Sequence, residues 1–297
     1  MTQHTATRPA SLTITQENML PQTNIELSGS STQNQWIRER EYFNQIAASA
    51  GSFNIEIIAP RYEAAMARPL YPLEVAYALL GEVRGKRILD VGCGHGDNSL
   101  LFARWGAHVT GVDVSGGAIA VCRRRAAELG LTNNTSFVES PVELLQSREQ
   151  RFDIIWSAAF LHHVLDRLDS VAKIFASLLS QDGFVLFLEP VRFSEVLKAI
   201  RAVLPISRNG TKDERPLERG DLAILQRLFK CSNQRYFGPM SRIAERFGSN
   251  VPLETASRTH RTFMNTFYQI DHRIMRLHIA RAAAMVMTCK LELSQTF

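Results

Sequence analysis

Hydrophobic positions along the chain fall into two regimes. From residue 36 to residue 80 they recur at helical spacing. Trp36, Ile37, Phe43, Ile46 and Ala47 predict a first helix over residues 36–50, which Gly51 ends. A second is predicted over 62–67, ahead of Pro69 and Pro72, and a third over 73–80, stopped by Gly81. This helical preface is expected to cap whatever follows. Then the period changes. The run Arg87-Ile88-Leu89-Asp90-Val91 is short and apolar and flows into glycines, which predicts a buried strand feeding a tight turn. Strands are expected at 108–113, 135–139, 152–157 and 183–189, and helices at 98–105, 117–130, 161–165 and 170–179. Strands alternating with helices at this spacing predict right-handed βαβ units and a parallel sheet covered on both faces.

After Pro190 the alternation breaks. A helix is expected over 193–203, up to Pro205, and a polar stretch over 209–219. Asp221 reads as the N-cap of a helix over 222–229, and 234–237 as a short strand. The tail, 271–290, reads as one long helix. The first 34 residues are rich in Ser, Thr, Asn and Gln and lack aromatics, so they are expected to stay disordered. The expected organisation is a leader (1–34), a helical cap (35–82), a nucleotide-binding core (83–190) and a C-terminal part with a helical insertion (191–297).

Composition narrows the function. A chain of 297 residues, 45% apolar and 21% charged, is an ordinary globular one. Its net charge of +5 is mild, and its densest basic run, Arg123-Arg124-Arg125, lies in a helical pattern, so no strong nucleic-acid signal is present. The four cysteines, at 93, 122, 231 and 289, include no CxxC pair and no neighbouring His at ligand spacing. That argues against a metal site and a disulfide scaffold, and a reducing cytoplasm is expected. No long apolar run predicts a membrane-spanning helix.

The chemistry is expected in the loop Asp90-Val91-Gly92-Cys93-Gly94-His95-Gly96-Asp97. A loop leading from a parallel strand into a helix lies at the carboxyl edge of the sheet, where helix N–H groups face a ligand crevice. A dinucleotide fingerprint, G-x-G-x-x-G, would need its third glycine at position 97, which is Asp97; Gly96 comes one residue early. Asp90 before the loop suits an ammonium group better than a pyrophosphate. S-adenosylmethionine, a nucleoside bearing a sulfonium and an amino acid, is such a ligand. The next strand ends in Asp113, about 20 residues past the loop, where a carboxylate hydrogen-bonds ribose hydroxyls.

These segments resemble the class I S-adenosylmethionine-dependent methyltransferases. The likeness covers residues 86–190 and continues through Val109-Thr110-Gly111-Val112-Asp113-Val114-Ser115, Phe152-Asp153-Ile154-Ile155-Trp156-Ser157, Leu161-His162-His163-Val164 and Gly183-Phe184 to Glu189-Pro190. The resemblance implies a doubly wound α/β fold: a mostly parallel seven-stranded sheet with one antiparallel strand at its end. It implies that Gly92 and Gly94 line the methionine part of the cofactor, that Asp113 binds the ribose and that Val114 flanks the adenine. Cys93, Gly96 and Ser157 complete the expected cofactor set with Asp90. One departure stands out. Pro141 occupies the place where relatives carry an Asp for the adenine amino group, which leaves the contact to backbone near Val142.

A sulfonium methyl is already activated, so the protein supplies alignment, desolvation and, for a hydroxyl acceptor, a base. His162 and His163 follow the fourth strand, where the family's acceptor cavity begins. His162 is the preferred base; the alternative is that the two histidines cap a helix or pack beside the cofactor. Tyr62, His163 and Glu189 are candidate acceptor contacts, and His95 is either cofactor-proximal or exposed. Asp153 reads as structural. Ser157-Ala158-Ala159-Phe160 lacks the Asn/Asp-Pro-Pro-aromatic run of enzymes that methylate nucleic-acid bases. Carboxylates for a catechol-binding metal are not gathered at this edge.

The expectation is methyl transfer to a small-molecule or lipid-like acceptor at O, N or C, in secondary-metabolite, lipid or quinone-type biosynthesis. Alternatives are a non-catalytic S-adenosylmethionine-binding scaffold, an RNA methyltransferase and, disfavoured by the loop, a nicotinamide oxidoreductase. Basic residues along 271–290 offer a peripheral membrane contact or a solvated helix face.

Overall fold

The computed structural model describes residues 20–21, 30–48, 53–146, 151–195, 214–247 and 256–294. A two-residue strand β1 (Leu20–Pro21) precedes three helices, α1 (Ser30–Ala48), α2 (Ile55–Met66) and α3 (Pro72–Leu80). The alternating part runs β2 (Arg87–Val91), α4 (Asp97–Arg104), β3 (His108–Asp113), α5 (Gly116–Glu128), β4 (Thr135–Glu139), β5 (Leu145–Gln146), β6 (Phe152–Ala158), α6 (Leu168–Leu178) and β7 (Leu179–Pro190). Then come α7 (Arg219–Leu225), β8 (Phe229–Phe237), α8 (Pro239–Phe247), α9 (Arg258–Ile274) and β9 (Val286–Leu293). The main sheet has seven strands in the order β4-β3-β2-β6-β7-β9-β8. β9 runs antiparallel between β7 and β8, so the reversed strand lies one place in from the edge that the resemblance implied.

Period-two alternation builds two cores. Leu89, Ile155 and Phe187 point to one face and pack with Val171 and Phe175 of α6. Ile88, Ile154 and Leu186 point to the other, against Tyr77 of α3, Phe102 of α4 and Ile119 of α5. Trp156 stacks on Tyr77, ring centroids 5.5 Å apart, and the Tyr77 hydroxyl donates to Asn98 at 2.6 Å. Asp153 opens β6 at the edge away from the glycine loop and pairs with Arg87 at 3.1 Å.

Five expectations need correction. Residues 30–34 are helical, and Leu20 and Pro21 pair with Gln146 and Leu145, so these positions of the expected leader are ordered. The segment 161–165 forms 3-10 turns, Leu161–His163 and Leu165–Arg167, not an α-helix. Asp221 is the third residue of its helix: Glu218 is the N-cap, and the Asp221 carboxylate accepts from the Glu218 amide at 2.7 Å. The tail is not one helix. Its last part is β9, whose Met287, Cys289 and Leu291 alternate into the core; with a strand already on each side, the segment gains ladder hydrogen bonds that a helix would forgo. Finally, Cys231 and Cys289, on the neighbouring strands β8 and β9, form a disulfide; their separation of 58 residues hid the pairing. The helix expected at 193–203 falls mostly outside the described residues. No helix of the described residues is long and apolar enough to cross a membrane.

Candidate active site

The carboxyl ends of β2, β3, β4 and β6 open onto a cavity of about 370 Å³. Gly92 turns the chain with φ 64°, in the left-handed region, and a Cβ there would come within 2.7 Å of the Phe160 ring. Gly94, also at positive φ, presents open space to the cavity, and its amide donates to Asp113 at 2.9 Å. The other Asp113 oxygen accepts from the Ser115 amide at 2.8 Å. Burial pushes the Asp113 carboxyl up, against these two backbone bonds. A carboxylate oxygen has two lone pairs, so acceptor capacity remains for a diol. Val114, Ser140, Val142 and Glu143 extend the wall, and His95 lines it too.

Several expected residues do not reach this wall. Asp90 sits behind the loop, 2% exposed, and accepts from the Ser99 hydroxyl at 2.6 Å. Burial raises its carboxyl from the ordinary 3.8 to about 7, with the Ser99 bond opposing. Cys93 turns inward toward Cys122; its thiol's hydrogen bond to Cys122, and then burial, push that thiol well up. Gly96 starts α4 at φ 81° and packs over the Cys122 sulfur. Ser157 is fully buried at the end of β6. Asp90, Cys93 and Gly96 pack behind the loop, and Ser157 pairs with Val91 in the neighbouring strand. Tyr62 also lies elsewhere, edge-on to Tyr77 at 4.7 Å.

A second cluster faces the cofactor half across the cavity. Glu189, at the end of β7, is 1% exposed. One of its oxygens accepts from the Phe160 and Leu161 amides, both at 2.7 Å; the other meets His162 Nδ1 at 2.7 Å. The carboxylate therefore holds His162 as the Nδ1–H tautomer and leaves Nε2 free of that contact. Nε2 lies 3.9 Å from Glu214. His163 Nδ1 is 3.2 Å from the same carboxylate. Burial opposes charge on His163, but Glu214, then Glu39 and Glu189, outweigh it and raise its pKa. Glu189 thus supports His162 and does not line the cavity itself. His162, His163 and Glu214 keep their ligand atoms within 4.8 Å of one another and could hold a divalent cation. The Glu214 carboxylate also stands at ion-pair distance from both rings.

The roof is α1. Asn44 accepts from the Gly117 amide at 2.9 Å and from the Ser115 hydroxyl at 2.7 Å. Gln35 donates to the His163 carbonyl at 2.9 Å and accepts from Arg167 at 2.6 Å. Trp36, Tyr42 and Phe43 between these anchors, and Ile46 just past them, line the cavity. Sequence reasoning predicted a cap but missed these residues, together with Ala159, Phe160, Arg167 and Glu214. The apolar stripe of α1 was the available signal.

The family model described as a methyltransferase domain matches residues 88–183. A ubiquinone biosynthesis O-methyltransferase of Shewanella halifaxensis is 32% identical over 175 residues, 55% of this chain and 72% of that protein. This chain belongs to the class I S-adenosylmethionine-dependent methyltransferases. Its cofactor is S-adenosylmethionine. The same-named protein of Alkalilimnicola ehrlichii is 37% identical over 131 residues, 43% of this chain and 52% of that one. The chain spans about half the length of most of the curated relatives it matches. Among solved structures, geranyl diphosphate C-methyltransferase from Streptomyces coelicolor, with Mg²⁺, geranyl diphosphate and S-adenosylhomocysteine, is 13% identical. Its TM-score is 0.56, over 88% of this chain and 98% of that one, a likeness of fold. The cavity fits the cofactor: Gly94 leaves the wall open where a side chain would intrude, and Asp113 offers the acid for a ribose.

Proposed function

We propose that this methyltransferase transfers a methyl group to a hydroxyl oxygen of a small, largely apolar acceptor in quinone-type biosynthesis, with His162 as general base. The observation that carries the reading is the His162–Glu189 contact at 2.7 Å. The relatives named ubiquinone biosynthesis O-methyltransferases support an oxygen acceptor of that kind. When bound, S-adenosylmethionine supplies an electrophilic methyl on a positively charged sulfur.

The chain does the rest. Gly92, Gly94 and Asp113 hold the cofactor, and Val114 and Val142 flank its adenine. Trp36, Tyr42, Phe43 and Phe160 enclose the acceptor and exclude water, which strengthens each polar contact within. His162 Nε2 takes the acceptor's proton as the oxygen attacks. Glu189, held by two backbone amides, then compensates the imidazolium charge. His163 and Glu214 border the acceptor side. Cys93, Gly96 and Asp90 act on the cofactor through the loop they pack behind, and Ser157 through the strand it pairs with. Among the described residues no clustered basic face lines this cavity, which favours a small molecule over RNA.

The test is labelled-methyl transfer to catechol- and phenol-type acceptors with His162→Ala. Turnover should fall on the order of a hundred- to ten-thousand-fold, with S-adenosylhomocysteine affinity retained. An unchanged rate removes His162 as the base, and product methylated at nitrogen or carbon removes the oxygen acceptor.

A further inference from the structure

A second cavity of about 340 Å³ lies over the β9–β8 end of the sheet, beneath α7. It shares no lining residue with the cofactor cavity. Its floor is apolar: Phe187, Leu225, Met287 and Leu291 are buried there, with the Cys231–Cys289 disulfide among them. Its rim is the opposite. Arg219, Arg281 and His278 converge on it, and no carboxylate lines it among the described residues.

The rim groups are arranged as donors. The Arg281 guanidinium lies over the Tyr236 ring, 5.3 Å from its centroid, and the Arg219 guanidinium over Phe193 at 5.2 Å. Such stacking fixes a guanidinium's plane while leaving its N–H edge available. A guanidinium only donates, so the 3.2 Å contact between Arg281 and His278 Nδ1 makes that nitrogen the acceptor. The His278 proton then sits on Nε2. Tyr236 is half-buried; burial pushes its hydroxyl up, and Arg281 and Arg219 push it back, so both cations act on one point of the wall. Nearby acids are already engaged: Glu218 with Arg192, and Asp221 with Arg215. Among the described residues neither guanidinium has a carboxylate partner, and an anion with an apolar body would meet both cations and cover the floor.

We propose that this groove is a second ligand site, taking a small amphipathic anion: an apolar chain or ring bearing one carboxylate or phosphate. The head group lies between Arg219, Arg281 and His278, and the body lies along Phe187, Leu222, Met287 and Leu291. The assignment is independent of the methyl acceptor, because binding here is read without turnover.

The test is calorimetry on the full chain saturated with S-adenosylhomocysteine, using octanoate and octyl phosphate as probes. Octylammonium and inorganic phosphate serve as controls. Either anionic amphiphile should bind, and the two together distinguish a carboxylate from a phosphate site. The double variant Arg219→Ala/Arg281→Ala should weaken binding by about tenfold or more, as expected when charge-assisted hydrogen bonds are lost. The double Arg→Lys variant should keep part of it. Leu222→Trp, which fills the groove from α7, should abolish it with both arginines intact. Retained S-adenosylhomocysteine affinity certifies that each variant is folded. The proposal is overturned if neither amphiphile binds, if octylammonium or inorganic phosphate binds equally well, or if affinity survives both the Ala pair and Leu222→Trp. That last outcome would place the probe elsewhere, for example in the acceptor cavity.

Discussion

The two walls of the active cavity are built from different materials. The wall at β2 and β3 is mostly backbone: a glycine turn, the amides of Gly94 and Ser115, and one carboxylate that ties them together. The wall at β6 and β7 is mostly side chain. His162, His163, Glu189 and Glu214 are brought together from three separate parts of the chain. In the proposed function the backbone wall recognises what every reaction of this kind shares, the cofactor. The side-chain wall can change one residue at a time, and there the same proposal puts the acceptor and the chemistry.

The sharpest way to break this contrast is Glu189→Gln. The amide oxygen can still accept from Phe160 and Leu161, so the turn keeps its shape. Its NH₂ then faces His162 Nδ1 and imposes the Nε2–H tautomer, which cannot take a proton from the acceptor. Turnover should drop on the order of a hundred- to ten-thousand-fold while S-adenosylhomocysteine affinity holds. Equal losses in turnover and cofactor affinity would mean that Glu189 shapes both walls.

Behind the backbone wall, Asp90 predicts a pH effect. Its folded-state carboxyl stands near 7, above the ordinary 3.8. The folded protein therefore holds a proton there that the unfolded chain has lost. The resulting stability is fully present below about pH 4 and disappears as pH rises through about 7. Asp90→Asn, which keeps an acceptor for Ser99, should flatten that part of the stability–pH curve by an amount on the order of a few kcal/mol. Denaturant unfolding between pH 4 and 8 measures it. An unaltered slope would show that Asp90 is ionised in the folded state.

Asp113→Ala tests the front of the same wall. Cofactor affinity should fall by about tenfold or more, because a charged acceptor is lost and two amides are left unpaired. Asp90→Asn should change that affinity less. The reverse order would move Asp90 from a supporting position into contact with the cofactor.

The contrast also explains what the sequence disclosed. The cofactor wall is local: a strand, a glycine turn and an acid at the next strand tip are all encoded within residues 87–113. The strands β2, β3 and β4 are legible for the same reason, each being a short apolar run between turn residues. Asp90 and Cys93 lie behind the cavity wall; strand period gives the face of a residue, not whether a loop lies between it and the cavity. The acceptor wall depends on long-range contacts. Nothing near His162 announces that Glu189 is 27 residues away and Glu214 further still. The segment that forms β9 mixes apolar and basic residues and satisfies both the helical and the strand period; the ladder offered by β7 and β8 decides its place. Likewise α1 was legible as a helix, but only its anchors at Asn44 and Gln35 reveal that it roofs the site.

The smallest effect is expected at the hinge between the walls. Ala159, directly after β6, has φ 55° and is the only described non-glycine residue at positive φ. Its amide is tied to the Leu188 carbonyl at 2.9 Å, and the next residue, Phe160, begins the turn that carries His162. A Cβ in the left-handed region costs about 1–2 kcal/mol, and the surrounding hydrogen bonds must hold it there. Ala159→Gly removes that strain, but it also gives the unfolded chain more freedom to lose, about 0.5–1 kcal/mol. The net should be a stabilisation below about 1 kcal/mol, read as a small rise in Tm. Activity separates the two uses of the strain. If the bent backbone serves only to close β6, turnover stays level; if it aims His162, the more stable variant turns over more slowly at unchanged cofactor affinity.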